Sequence, residues 1–262
     1  MKFRKVFLAL IIPLLGACAS LSNETAPEAV AIPTPSLEQI APDVWIHKSY
    51  ANVSSYGLVL SQGLVIKTNE GIVLVDTAWT DDDTEVLLNL VDQNLGADPD
   101  MAIVTHAHQD KMGGVPALNK RGIGGHAQPL TNQDAPARGL RPTTYSILED
   151  KDKDSLMGWT ENGVDHDGPI TVYYPGPGHT RDNIVVYHAP TKVLFVGCLI
   201  RPGNSNSLGN TEDADLSQWA QSVRKVAATF PDAEIIVPSH ASAGGRALLD
   251  HTIALVEAAN AQ

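Results

Sequence analysis

The segment Thr105-His106-Ala107-His108-Gln109-Asp110 sets two imidazoles and a carboxylate at alternate positions. In extended chain, side chains two residues apart point the same way. His106, His108 and Asp110 can therefore converge on one point or on two adjacent ones. Such a set suits a borderline-soft divalent ion such as zinc. Gly113 and Gly114 follow, where the backbone can turn into a helix. The same three residues could instead be polar groups at a strand end, bonded to nearby backbone.

Three further residues tip that balance. His179 lies in Pro175-Gly176-Pro177-Gly178-His179-Thr180, Cys198 follows an apolar run, and His240 follows Val237-Pro238-Ser239. Each stands just past the C-terminal end of an expected strand, where α/β proteins commonly build their sites. His47, His126, His166, His188 and His251 lack that placement and read as surface or packing residues. The set divides in two. His106, His108 and His179 would form a tetrahedral zinc site with an open fourth position. Asp110, Cys198 and His240 would form a second, more anionic one. A water bridging two zinc ions would have its pKa lowered from about 15.7 towards about 7. The chemistry expected is hydrolysis of a carbonyl without a covalent intermediate.

The elements that must position these residues can be read from apolar patterning. Strands are expected over 44–50, 56–67 (bent near Ser61-Gln62-Gly63), 71–76, 101–105, 170–174, 184–188, 192–196 and 234–237. Helices are expected over 82–95, 115–120, 215–230 and 245–259, the third capped by Asp215 or Ser217. Residues 129–168 are polar and carry no clear period. Strands precede helices in each half, which suggests an α/β fold of two sheets packed face to face with helices outside.

The chain has 262 residues, 43% hydrophobic and 18% charged, enough for one large domain or two small ones. Aromatics reach only 5%, so the core must rest on Val, Leu, Ile and Ala. A net charge of -12 argues against nucleic acid as a partner, because phosphate binding needs clustered Lys and Arg. Lys2, Arg4 and Lys5 precede an apolar run over 6–15, too short to span a membrane, then Gly16 and Ala17. This is the plan of a secretory signal peptide. Leu15-Gly16-Ala17-Cys18 resembles the bacterial lipoprotein processing box, which would leave Cys18 as a lipidated N-terminus; the alternative is an ordinary signal peptide that contains a cysteine. Ala19 resembles an outer-membrane sorting signal of Gram-negative cells.

The expected organisation is thus a lipoprotein signal peptide over 1–17, a lipid-anchored flexible tether over 18–38, rich in Ala, Pro, Ser and Thr, and a catalytic domain over 39–262. The expected place is the periplasm, anchored to the outer membrane. Cys198 would then have no disulfide partner, and a lone thiol in an oxidising compartment is a liability unless a metal occupies it.

Over about 40–260 the chain resembles the metallo-β-lactamase superfamily, specifically subclass B1, and within it the New Delhi type. The resemblance is carried by Val75-Asp76-Thr77-Ala78-Trp79-Thr80, the segment 104–114, Tyr174 to Asn183 apart from Arg181, Gly197-Cys198-Leu199-Ile200 and Ser207-Leu208-Gly209-Asn210. Glyoxalase-like and lactonase-like relatives carry a histidine and a bridging aspartate where this chain has Lys111 and Cys198.

The resemblance implies a four-layered αβ/βα sandwich of two mixed sheets, a monomer, and two zinc ions per chain. It implies hydrolysis of the amide bond of penicillins, cephalosporins and carbapenems by a zinc-bridging hydroxide, and hence antibiotic resistance. Asp110 and Asn210 would serve catalysis, Asn210 as a donor to the developing oxyanion. Arg201, where the family places a lysine, would bind the substrate carboxylate. Val53 on the hairpin loop 51–56, Trp79 and Gln109 would line the substrate pocket, and Asp76 would orient the ligands.

Overall fold

The computed structural model describes residues 31–148, 156–160, 163–164 and 168–261. The expected signal peptide, Cys18, His166 and the tether up to residue 30 lie outside them.

A seven-stranded sheet runs in sequence order: β1 (Ser36–Ala41), β2 (Val44–Val53), β3 (Gly57–Thr68), β4 (Gly71–Val75), β5 (Met101–Val104), β6 (Gly124–Ala127) and β7 (Tyr145–Ser146). β1 to β4 pair antiparallel through short turns, whereas β4 to β7 pair parallel. Parallel neighbours need crossovers. These are α1 (Asp81–Leu95), then α2 (Gln109–Met112) with α3 (Val115–Lys120), then α4 (Pro129–Asp134) with a 3-10 turn over Ala135–Arg138.

The second sheet has the order β13-β12-β11-β10-β8-β9. Its strands are β8 (Leu156–Thr160), β9 (Gly163–Val164), β10 (Ile170–Tyr173), β11 (Val185–His188), β12 (Val193–Gly197) and β13 (Ile235–Pro238). Only β12 and β13 pair parallel here, joined by α5 (Leu216–Thr229). α6 (Ala247–Asn260) ends the described chain.

Strand alternation explains why two helix layers are needed. On β3, β4 and β5, Leu64, Ile66, Val73, Val75, Met101 and Ile103 face the second sheet and meet Val172, Val186, Val193, Phe195 and Val237. The intervening Val65, Leu74 and Ala102 face outward onto Leu87, Leu88 and Val91 of α1 and Leu118 of α3. The second sheet does the same. Val185, Leu194, Val196 and Ile236 turn outward onto Trp219, Val223 and Val226 of α5 and Leu249 and Val256 of α6. Strands buried on both faces read as continuous apolar runs, and β4, β5 and β12 do.

The expected α/β sandwich of two mixed sheets is therefore the observed one. Three details differ. β1 begins at Ser36, inside the stretch expected to be tether; none of its residues is fully buried and they show little apolar pattern. β6 is Gly-Gly-His-Ala, a sequence with poor strand propensity, held in place by parallel neighbours on both sides. β3 runs unbroken through Gly63, where an added Cβ would lie 2.1 Å from His47 Nε2. Asp215, not Ser217, caps α5, its side chain accepting from Gln218 N at 3.1 Å.

Candidate metal centre

β4 and β5 end side by side, and their ends are locked together. Asp76 adopts a left-handed backbone, φ 62°, and its carboxylate accepts from Thr105 N at 2.8 Å and from Thr105 Oγ1 at 3.0 Å. Asp76 thus fixes Thr105, the residue before His106. Burial pushes its carboxyl up to about 7, against Lys111 and the two bonds from Thr105. A second buried carboxylate, Asp182, accepts from Ala107 N at 2.8 Å and fixes the backbone between the two histidines.

From this frame His106 and His108 follow β5, and Asp110 sits in the first turn of α2. His179 lies between β10 and β11, Cys198 directly after β12, and His240 two residues past β13. The first sheet thus supplies three of the six candidate ligands and the second sheet the other three.

The structure brings all six together. His106 Nε2 and His179 Nε2 each lie 3.2 Å from His108 Nδ1, with the three rings at 73–88° to one another. Cys198 Sγ is 3.2 Å from His240 Nε2 and 3.9 Å from Asp110 Oδ2, and the latter two are 3.6 Å apart. Three overlapping groups have ligand atoms within 4.8 Å of one another: His106, His108 and Asp110; His106, His179 and Cys198; Asp110, Cys198 and His240. The last of these is the anionic trio read from the sequence. The three histidines meet at His108 Nδ1, and His106 and His179 also reach Cys198, so the six form one continuous patch.

The donor chemistry fits a divalent cation. Burial and the neighbouring His108 hold His106 and His179 well below the usual histidine range, so both are neutral and offer a lone pair. His108 Nε2 lies 2.9 Å from the Asp213 carboxylate. An ionised carboxylate only accepts, so Nε2 donates to it, which aims Nδ1 at the other two rings. His240 is fixed the same way, with Nδ1 2.7 Å from the Leu60 carbonyl. Burial opposes a charge on Asp110, but Lys111 and His240 overcome it and hold the carboxyl well below its usual range. Burial, with Asp110 beside it, pushes the Cys198 thiol up to about 12; a bound cation would displace that proton.

Beneath the patch lies a fully buried Lys111. Its ammonium is 3.2 Å from Asp110 Oδ2 and 3.7 Å from Asp76 Oδ2, and donates to Ser61 Oγ and to the Gln62 carbonyl. Burial disfavours this charge, yet Asp110, Cys198 and Asp76 raise its pKa.

The patch forms the floor of a cavity of about 500 Å³, whose lining includes Val53, Trp79, Gln109, Arg201 and Asn210. Gln109 Nε2 donates to the Trp79 carbonyl at 2.7 Å, which ties two of these walls. The Arg201 guanidinium packs over Gly209, φ 67°, where an added Cβ would lie 2.8 Å from Nη2. Asn210 Oδ1 accepts from Glu212 N at 3.1 Å, leaving its amide NH2 without a partner among the described residues. Every expected site residue therefore falls in one place. Asp213, Arg138, Asp182 and the burial of Lys111 were not foreseen. Asp213 and Arg138 meet the site over 105 and 75 residues of chain, with no local pattern to mark them.

Fold and floor together define a hydrolase-type metal centre set between two sheets. Residues 57–240 match the model of the metallo-β-lactamase superfamily. The chain is 33% identical over 251 residues to the metallo-β-lactamase type 2 of Bacillus cereus, covering 94% of each. It is 35% identical over 222 residues to that of Bacteroides fragilis, covering 84% of this chain and 85% of the other. Among solved structures, the mono-zinc form of the metallo-β-lactamase FIM-1 from Pseudomonas aeruginosa is similar with a TM-score of 0.81 and 39% identity, over 87% of this chain and 97% of that one. A metallo-β-lactamase from Hirschia baltica gives 0.78 and 37%, over 86% and 98%. The chain belongs to the metallo-β-lactamase superfamily.

Proposed function

We propose that this protein is a zinc-dependent β-lactamase that hydrolyses the lactam amide of penicillins, cephalosporins and carbapenems and so confers antibiotic resistance. One observation carries the reading. Six convergent ligands lie under a cavity that also presents a guanidinium and an unengaged amide NH2. The similarity to enzymes named metallo-β-lactamase type 2 supports it.

Two zinc ions are the proposed complement, held by His106, His108 and His179 and by Asp110, Cys198 and His240. Bound zinc supplies Lewis acidity and an ionised water at neutral pH. The residues of the chain do the rest. Arg201 pairs with the carboxylate that β-lactams carry beside the ring nitrogen; its planar fork can do so through two hydrogen bonds. Asn210 Nδ2 donates to the carbonyl oxygen as negative charge develops there, where a preorganised donor counts most. Val53 and Trp79 cover the apolar part of the substrate, and Gln109 keeps Trp79 in place. Asp110 keeps the Cys198 end of the floor anionic, and the proton for the departing ring nitrogen arrives from solvent on that side.

The finer proposals rest on sequence. The motifs around Trp79, His179 and Asn210 support subclass B1 of the New Delhi type. The processing box ending at Cys18 supports a lipid anchor on the periplasmic face of the outer membrane, with a monomeric catalytic domain. The test of function is a substrate panel. A penicillin, a cephalosporin and a carbapenem should all turn over faster than a thioester, a lactone and a simple ester. Turnover of the ester-type substrates alone would move the function to another hydrolase.

A further inference from the structure

Arg138 and Asp213 stand outside the ligand set, yet both line the cavity beside His108. Arg138 Nη1 lies 2.7 Å from Asp213 Oδ2, the same oxygen that meets His108 Nε2 at 2.9 Å. One carboxylate oxygen thus links a guanidinium to a candidate ligand.

The three residues come from separate parts of the fold. Arg138 ends the 3-10 turn after α4, His108 precedes α2, and Asp213 belongs to the long connection between β12 and α5. The Arg138 end is the firmer one. Gly139 N and Leu140 N close the turn onto the Pro136 and Ala135 carbonyls. Ala135 and Leu140 are buried in the cluster that also holds Ala107, the residue between the two histidines. Asp213 itself is exposed, in a connection anchored near it by Asp215 N on the Gly178 carbonyl. Besides His108 itself, Arg138 is the described side chain that holds its carboxylate.

A half-exposed ion pair contributes little to fold stability. Its value here lies in direction. Partners of a metal-binding histidine fix both its tautomer and its ring orientation. We propose that Arg138 is a positioning residue for the metal centre. It clamps the Asp213 carboxylate against His108 Nε2, and thereby keeps His108 Nδ1 turned to the point shared with His106 and His179. The proposal rests on the reading of these histidines as zinc ligands.

The test is zinc affinity, measured on the purified protein by competition with a chromophoric chelator, alongside thermal unfolding in EDTA. Arg138→Gln should weaken the tighter zinc site about tenfold and leave metal-free unfolding unchanged. Arg138→Lys should restore part of the loss. In an Asp213→Asn background Arg138→Gln should add nothing, because the clamp has lost its object. Unchanged affinity in Arg138→Gln would overturn the proposal, and so would an equal loss in the Asp213→Asn background. Wild-type protein that binds no zinc would instead remove the metal reading on which the clamp depends.

Discussion

A thiol pushed up to about 12 loses its proton at neutral pH only when a cation takes the proton's place, so Cys198 is where metal binding and side-chain chemistry are most tightly joined. Replacing Cys198 by Ser removes the soft ligand of the anionic trio. Zinc content by elemental analysis should fall from two ions towards one; two tightly held ions in Cys198→Ser would refute the ligand division. Arg201 makes a different prediction. In the proposed role it would meet substrate charge rather than metal, so Arg201→Ala should raise KM for carboxylate-bearing β-lactams at least tenfold and change kcat less, as loss of a single charge-assisted contact does. An unchanged KM would remove Arg201 from substrate binding.

At this scale the sequence was highly informative. Alternation in His106-Ala107-His108-Gln109-Asp110 and position after strands identified every candidate ligand. Asp213 and Arg138 were illegible because their only signal is spatial. A buried Lys111 was illegible too, since lysine is almost never fully buried unless paired, and its partners come together only in the fold.

At the scale of elements, the segments flanking the site carry their own pH dependence. His47 on β2 is buried against β3 and β4, its Nε2 3.0 Å and 3.1 Å from the Val75 and Asp76 carbonyls. Burial lowers its pKa from 6.5 to about 4. The folded state therefore favours neutral His47. Its contribution is fully present above pH 6.5 and is lost as the pH falls through 4, amounting to on the order of 3 kcal/mol. Metal-free protein should lose thermal stability across that window. His47→Gln, which keeps a donor and does not titrate, should lose less; identical pH profiles would show that His47 takes no part.

The elements legible in advance were those with strong patterns: β4, β5, β12, α1 and α5, buried on both faces or clearly amphipathic. β1 and β6 were not. One is an exposed edge, the other is glycine-rich, and sheet pairing rather than propensity decides both.

At the scale of the whole molecule, two sheets bury a shared apolar interface and leave their loops at one edge, where each contributes three candidate ligands. A metal held there would tie the sheets together across the cavity floor and would at the same time supply the chemistry. The sandwich was legible because strand-then-helix order in each half demands two covered sheets. Which loops would meet was legible only through the ligands themselves.

That coupling makes one measurement decisive: hydrolysis of a chromogenic cephalosporin by purified protein before EDTA treatment, after it, and after zinc is returned. Turnover should be abolished by EDTA and restored by zinc to its starting rate. A folded, zinc-loaded protein that leaves the lactam intact, or one that hydrolyses it equally well in EDTA, would contradict the proposed function.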